Sequence, residues 1–256
     1  MAKVKQTAVV NSQEKLSEDV FSMWIHSPEI ASQAHGGQFI SIYPKDGARL
    51  LPRPISICEI DREHGDLRIV YRVAGAGTKE FSFYEKGDSI TILGPLGNGF
   101  PQIPADRRVI LIGGGIGIPP MLQAAKELSC EKTAVLGYRD QLFLEKEFAA
   151  YAKVYVAMED GSAGTRGNVL DAVRDNGLFA DVILACGPSL MLRAVKTYAM
   201  EHQIECYLSL EEKMACGVGT CLACVCQSKE IDSHSHVHNK RICKDGPVFR
   251  AEEVEL

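Results

Sequence analysis

The sequence predicts a chain in three parts: an N-terminal antiparallel β barrel over residues 1–103, a parallel-sheet α/β domain over 104–210, and a small cysteine-rich segment over 211–256. Three observations predict it. Short segments of period-two alternation, broken by Gly, Pro and Asp, fill the first part. Continuous apolar runs alternating with helix-forming stretches fill the second. Five of the nine cysteines crowd into the third, which is too short to bury a core of its own.

The barrel rests on Val20–Ile25, Gln38–Tyr43, Leu67–Arg72 and Ser89–Leu93, each rich in β-branched or aromatic residues at alternate positions. Tyr84-Glu85-Lys86-Gly87-Asp88 reads as a turn into the last of these. The second part opens on Arg108–Ile112, a continuous apolar run of the kind found in strands buried on both faces. A helix is predicted from Pro119-Pro120, since proline suits the first helical turn. Strand-like runs recur at 133–136, 154–157, 182–185 and 205–208, with a helical stretch over 189–201 between the last two. Strand and helix in alternation imply a parallel sheet covered on both faces.

Composition removes several classes of function. The net charge is −5, from 28 Lys and Arg against 33 Asp and Glu, so broad nucleic-acid binding, which needs basic surface, is not expected. No apolar run approaches the roughly 20 residues of a membrane helix, and Met-Ala-Lys-Val-Lys-Gln lacks the apolar stretch of a signal peptide. A cytoplasmic chain is expected. In that reducing compartment clustered cysteines point to metal or redox chemistry rather than to disulfides.

The cysteine pattern is the most specific signal. Cys216-Gly-Val-Gly-Thr-Cys221-Leu-Ala-Cys224 puts three thiols on one loop, and Cys243 returns after eighteen intervening residues. Three thiolates on a tight loop with one distant return is how a chain wraps a 2Fe–2S cluster. Gly217 and Gly219 let the backbone close around the sulfurs. A Cys₄ zinc site is the alternative, but zinc ligands usually come as two short pairs. Cys226 is a fifth thiol; it lies too near Cys224 to close the far side of a cluster, so Cys243 is expected as the fourth ligand. His234, His236 and His238 alternate before it and read as a polar hairpin tip, with a second metal site as the other reading. No histidine interrupts Cys216–Cys224, which argues against a Rieske-type centre.

Other signals are weaker one by one. Gly113-Gly114-Gly115-Ile116-Gly117 lies between a strand and a helix, where amides can approach a phosphate, though a tight turn would look the same. Cys186-Gly187-Pro188 and Glu159-Asp160-Gly161-Ser162 end two other parallel strands, the edge where open sheets bind ligands. Cys186 is also readable as a small buried residue. In the first part, Arg53-Pro54-Ile55-Ser56 offers a guanidinium for a pyrophosphate and a hydroxyl for a flavin ring. Val70-Tyr71-Arg72 adds an aromatic face and a second cation, and Gly77-Thr78 a glycine turn opening a helix, with Thr78 as its cap. Arg139-Asp140 leaves open whether a ribose 2′-hydroxyl or a 2′-phosphate is accepted.

In that order, Arg-Pro-Ile-Ser, Tyr-Arg with Gly-x-Gly-Thr, Gly-Gly-Gly-x-Gly and Cys-Gly-Pro-x-x-Met resemble the ferredoxin–NADP⁺ reductase superfamily. The Cys-Gly-x-Gly-x-Cys-x-x-Cys loop and Cys243-Lys-Asp-Gly-Pro-Val-Phe249 narrow the resemblance to the electron-transfer subunits of NAD-dependent dihydroorotate dehydrogenases, over essentially the full length. The resemblance implies FAD on the barrel at Arg53, Pro54, Ile55, Ser56, Val70, Tyr71, Arg72, Gly77 and Thr78. It implies NAD(H) at Gly113, Gly114, Gly115, Gly117, Glu159, Asp160, Gly161, Ser162, Cys186, Gly187 and Pro188, with Cys186 near the nicotinamide, and 2Fe–2S at Cys216, Cys221, Cys224 and Cys243. It further implies an FMN-bearing catalytic partner in a heterotetramer of two of each, serving pyrimidine biosynthesis. The long histidine-bearing segment before Cys243 departs from the family pattern. A neighbouring family, the flavin/iron–sulfur subunits of NADH-dependent ferredoxin:NADP⁺ transhydrogenase or sulfide dehydrogenase, commonly opens its cluster loop with aspartate, where this chain has Cys216. A zinc-stabilised regulatory module is the non-enzymatic alternative.

Overall fold

The computed structural model describes residues 3–233 and 235–256. Strands β1 (Val4–Lys15), β2 (Val20–His26), β3 (Phe39–Tyr43), β4 (Arg53–Asp61), β5 (Asp66–Arg72) and β6 (Ser89–Leu96) close into an antiparallel barrel in the order β1-β2-β5-β4-β3-β6. Closure leaves no unpaired edge. Alternation sorts the side chains: Ile40 and Ile42 of β3, Ile57 of β4 and Ile69 and Tyr71 of β5 fill the interior. Helix α1 (Pro28–Gln33) packs Ile30 and Ala31 onto that core, and α2 (Ala76–Phe81) adds Phe81.

The α/β part contains β7 (Arg108–Gly114), a 3₁₀ turn over Gly115–Gly117, α3 (Pro119–Glu127), β8 (Glu131–Tyr138), α4 (Glu145–Phe148), β9 (Lys153–Met158), β10 (Thr165–Arg166), α5 (Val169–Asp175), β11 (Val182–Cys186), α6 (Ser189–Glu201) and β12 (Glu205–Ser209). Its strands pair in parallel, in the order β10-β9-β8-β7-β11-β12. Val109 and Leu111 of β7 face the core made by α3 and α4, while Ile110 and Ile112 face the core made by α5 and α6. An apolar run without alternation is what a strand buried on both faces requires.

The last segment adds a two-stranded ribbon, β13 (Val225–Gln227) with β14 (Asn239–Arg241), and then β15 (Val248–Arg250). β15 runs antiparallel beside β12 and extends the sheet to seven strands, with Phe249 opposite Leu208. The final segment is thereby tied to the sheet by backbone pairing, a tie with no periodic signature in so short a strand. Among the described residues, no helix is long and apolar enough to cross a membrane.

Barrel and sheet meet at a network of charges. Arg68 of β5, 5% exposed, donates to Glu59 of β4 at 2.6 Å and to Glu147 of α4, and its Nε donates to Ser22 at 2.8 Å. Lys126 of α3 reaches the other oxygen of Glu59 at 2.9 Å, and the Gln123 side chain accepts the Ile60 amide at 2.8 Å. A buried guanidinium is tolerated because carboxylates face it from both units. Replacing Arg68 by methionine would leave Glu59 with Lys126 alone and take this partner from Glu147. Urea unfolding is expected to show a loss of roughly 3 kcal/mol, the lower end for a broken buried pair because Glu147 is part-exposed. A loss below about 1 kcal/mol, the range of exposed pairs, would mean that the junction is solvated.

Candidate functional site

The cysteine loop leaves β12, crosses the barrel surface and returns as β13. Cys216 is half-buried, Cys221 exposed, and Cys224 and Cys243 buried. The thiols stand as two pairs, Cys216 hydrogen-bonded with Cys221 and Cys224 with Cys243. Among the described residues no three His, Cys, Asp or Glu side chains converge on one ion-sized point. Two pairs of sulfur donors suit a binuclear cluster, in which each iron takes two thiolates.

The local electrostatics favour thiolate. Burial works against ionising Cys216, yet the amides of Val218 and Thr220, 3.4 and 3.3 Å from its Sγ, help bring its pKa down to about 6. Cys224 is also brought down to about 6, chiefly by the hydrogen bond from the Cys243 thiol, with burial opposing and the Cys243 amide adding a bond at 3.4 Å. Cys243 is pushed up by that same bond, since it holds the proton its partner accepts. A metal ligand must be deprotonated, so one thiol of each pair is already disposed to bind. Cys226 on β13 is different. Burial raises its thiol to about 11, and it donates to the Lys240 carbonyl at 3.6 Å.

Two residues that sequence reasoning missed hold this loop. Arg241, 4% exposed, donates to Asp245 at 3.0 Å, to Asp232 at 3.3 Å and to the Gly219 carbonyl at 3.3 Å. Asn98, just beyond β6, donates to the Val248 carbonyl at 2.7 Å and accepts the Val248 amide at 3.1 Å. Their contacts to the distant Gly219 and Val248 carry no local signature. Of the histidines, His238 bonds the Lys229 carbonyl at 2.9 Å, as a hairpin residue would, and His236 has a positive φ of 58°. His234 lies outside the described residues.

The barrel residues divide by strand face. Ser56 lies opposite Phe39 and Pro54 opposite Ser41, on the outer face, whereas Ile55 and Arg53 lie opposite the inward Ile40 and Ile42. All four are half-buried, in contrast to the buried Ile57–Ile60 that follow. Arg53 bonds the Leu51 carbonyl at 2.5 Å, and its guanidinium lies over Gly77, where a Cβ would come within 2.7 Å of Nε. Gly77 therefore seats the arginine at the start of α2. Thr78 is the third residue of α2, whose N-cap is Gly75, and it closes the cap from within the helix. Its hydroxyl accepts the Ala74 and Gly75 amides at 2.9 and 3.2 Å, so those two amides are engaged by the chain itself. The Tyr71 ring is packed between Phe21 and Phe81, and its hydroxyl donates to Gln13 at 2.8 Å, so neither ring nor hydroxyl faces outward. Val70 packs toward the α3 side, and the exposed Arg72 pairs with Asp19 at 3.0 Å.

In the sheet, the chain winds outward from β7 in one direction and resumes at β11 on its other side, so Gly113–Gly117 and Cys186–Pro188 flank the switch point. They are pressed together: a Cβ on Gly117 would strike the Cys186 carbonyl, and one on Gly114 the Met191 sulfur. Packing alone thus accounts for Gly114 and Gly117. Gly115 differs, with φ +53° and open space above it. Burial raises the Cys186 thiol to about 12, so it is a neutral group and not a nucleophile. Glu159–Ser162 form an exposed turn at the same edge, past β8. The Ser162 amide, 2.9 Å from Asp160, is the main cause holding that carboxylate below its ordinary range. Arg139 and Asp140 are exposed and pair with each other at 3.3 Å.

Residues 211–255 match the family described as the iron-sulfur cluster binding domain of dihydroorotate dehydrogenase B. The dihydroorotate dehydrogenase B (NAD(+)) electron transfer subunit of Geobacillus kaustophilus is 42% identical over 98% of this chain and 99% of its own. Its counterpart from Listeria innocua is 45% identical over 96% and 97%. Among solved structures, an NADH-dependent reduced ferredoxin-NADP oxidoreductase superposes with a TM-score of 0.86 at 34% identity, covering 97% of this chain and 89% of its own. The cytochrome b5 reductase domain of Ulva prolifera nitrate reductase, at 18% identity and TM-score 0.62 over 83% and 96%, shares the fold.

The Arg241 network gives a direct test of how the cysteine loop is held. Arg241→Met removes the bond to Gly219 and the ion pairs that Arg241 makes with Asp232 and Asp245. The purified variant is expected to contain less than half the wild-type iron per chain while its far-ultraviolet circular dichroism is retained. Wild-type iron content would show that the loop is held in other ways.

Proposed function

This chain belongs to the family of electron transfer subunits of NAD(+)-dependent dihydroorotate dehydrogenase B, and we propose that it carries electrons from a separate catalytic subunit to NAD⁺ through a 2Fe–2S cluster and an FAD. Cys216, Cys221, Cys224 and Cys243 would hold the cluster. The half-buried start of β4, with Arg53 seated on Gly77, would hold the flavin. In this reading the electrons come from the FMN of a partner that oxidises dihydroorotate for pyrimidine synthesis, in a cytoplasmic heterotetramer of two of each.

One juxtaposition carries the reading. The outer face of β3 and β4 that presents Ser56 and Pro54 also presents Ser41, and the next contact of Ser41 is Gly217 in the cysteine loop. The proposed flavin and cluster seats are therefore neighbours on one barrel face. When bound, the cluster supplies single-electron transfer and the flavin joins it to hydride exchange with a nicotinamide. The chain's own residues bind and orient. Arg53 offers a guanidinium to a pyrophosphate, and Ser56 offers a hydroxyl on the face toward the sheet. Gly115 leaves room for a phosphate beside the switch point. Cys186, kept as a neutral thiol, adds no charge near the position a nicotinamide would take. No group of this chain is assigned to take a proton from dihydroorotate.

A second reading is favoured by the closeness of the NADH-dependent reduced ferredoxin-NADP oxidoreductase structure: electron exchange with ferredoxin and NADP(H). The choice of electron donor separates the two. Co-purified with its partner, the chain is expected to reduce NAD⁺ on addition of dihydroorotate. Activity confined to ferredoxin and NADP(H) would assign the second reading. Visible colour with iron and acid-labile sulfide separates both from a zinc module. Cys243→Ser is expected to abolish cluster absorbance and Cys226→Ser to leave it intact; the reverse would make Cys226 the ligand.

A further inference from the structure

Ser41 lies on β3 and is completely buried. Its hydroxyl oxygen is one of two buried side-chain polar atoms among the described residues that have no hydrogen-bond partner, the other being Arg107 Nε. Its surroundings are poor in polar groups. Across the sheet it faces Pro54, which has no amide hydrogen, on one side and Leu93 on the other. Above it stands Gly217, whose Cβ, were there one, would lie 3.0 Å from Ser41 Oγ and 3.4 Å from Leu96. A hydroxyl buried without a partner is costly and is normally satisfied by something.

The cysteine loop stands over it. Gly217 follows Cys216 directly, and its φ of +68° turns the backbone around that sulfur. The loop amides of Val218 and Thr220 already point at Cys216 Sγ. The loop thus directs donors toward a sulfur centre, and the Ser41 hydroxyl lies beneath the same loop. Sulfide and thiolate accept hydrogen bonds and donate none, so the hydroxyl is the donor of the pair.

We propose that the Ser41 hydroxyl donates a hydrogen bond to a sulfur of the cluster, either a bridging sulfide or Cys216 Sγ, and raises the cluster's reduction potential. The inference rests on the iron–sulfur reading given above. Reduction adds one electron and no proton, and it increases the negative charge on the sulfurs. A donor aimed at them stabilises the reduced form more than the oxidised form. Ser41 is a tuning residue in this account. It also ties the barrel that seats the flavin to the loop that seats the cluster.

The test is an EPR-monitored redox titration of the iron-loaded protein in complex with its partner. Ser41→Ala is expected to keep its iron and sulfide. Its ratio of reduced to oxidised cluster at fixed potential is expected to fall about tenfold, equivalent to ~59 mV for a one-electron couple. The flavin potential is expected to stay unchanged. Ser41→Thr keeps the hydroxyl, and a return to the wild-type cluster potential supports the bond, whereas a potential matching Ser41→Ala overturns it. An unchanged cluster potential in an iron-replete Ser41→Ala overturns the proposal, as does a shift confined to the flavin. Wild-type protein devoid of iron and labile sulfide would instead overturn the cluster reading itself, before any variant is compared.

Discussion

The arrangement depends on the seating of the cysteine loop against the barrel. A segment so short does not rest on its own packing alone. It is held from three sides. Ser41 and Leu96 of the barrel lie under Gly217. Arg241 reaches the Gly219 carbonyl while its charge is balanced by Asp232 and Asp245. Asn98 clamps the start of β15 through both polar atoms of its amide. Each support comes from a different part of the chain, so the position of the sulfurs relative to the barrel is a property of the assembled fold.

This explains which parts of the structure can be read from the sequence. Barrel strands and parallel strands announce themselves through local periodicity, and β7 illustrates it: the run Val109–Ile112 predicts burial on both faces, and the two cores take alternate residues. The cysteine spacing is similarly local. The supports are not. Arg241 looks like any charged residue on a hairpin until Gly219, 22 positions back, is brought beside it. Ser41 looks like the polar member of an alternating strand, and its isolation follows only from what the loop covers. Thr78 shows a subtler limit. Its sequence suggests a helix cap, yet the helix begins earlier and the hydroxyl folds back onto Ala74 and Gly75.

The glycine-rich strand exit shows how packing and binding overlap. Gly114 and Gly117 are demanded by Met191 and the Cys186 carbonyl whether or not a nucleotide binds. The sequence alone cannot separate that demand from a phosphate cradle, because both call for a residue without a side chain. Gly115 is crowded by neither Met191 nor the Cys186 carbonyl, and its left-handed φ is one that glycine adopts at no cost. Beside that approach, desolvation keeps the half-buried Cys186 thiol neutral.

Charge is managed differently at the two junctions of the molecule, and the difference follows from what each must do. Between barrel and sheet, Arg68 meets Glu59 and Glu147, and Lys126 meets Glu59, so formal charges are matched by formal charges. Such a junction fixes geometry and has no need to change its own charge state. Between barrel and cysteine loop, the donors nearest the sulfurs are neutral: the amides of Val218, Thr220 and Cys243. A centre that cycles between two charges is better served by dipoles than by a fixed cation. Dipoles stabilise the added electron without trapping it, and they need not reorganise when it leaves. Arg241 keeps its cation paired with two carboxylates and meets the loop backbone through a carbonyl, which holds the backbone while its own charge is balanced.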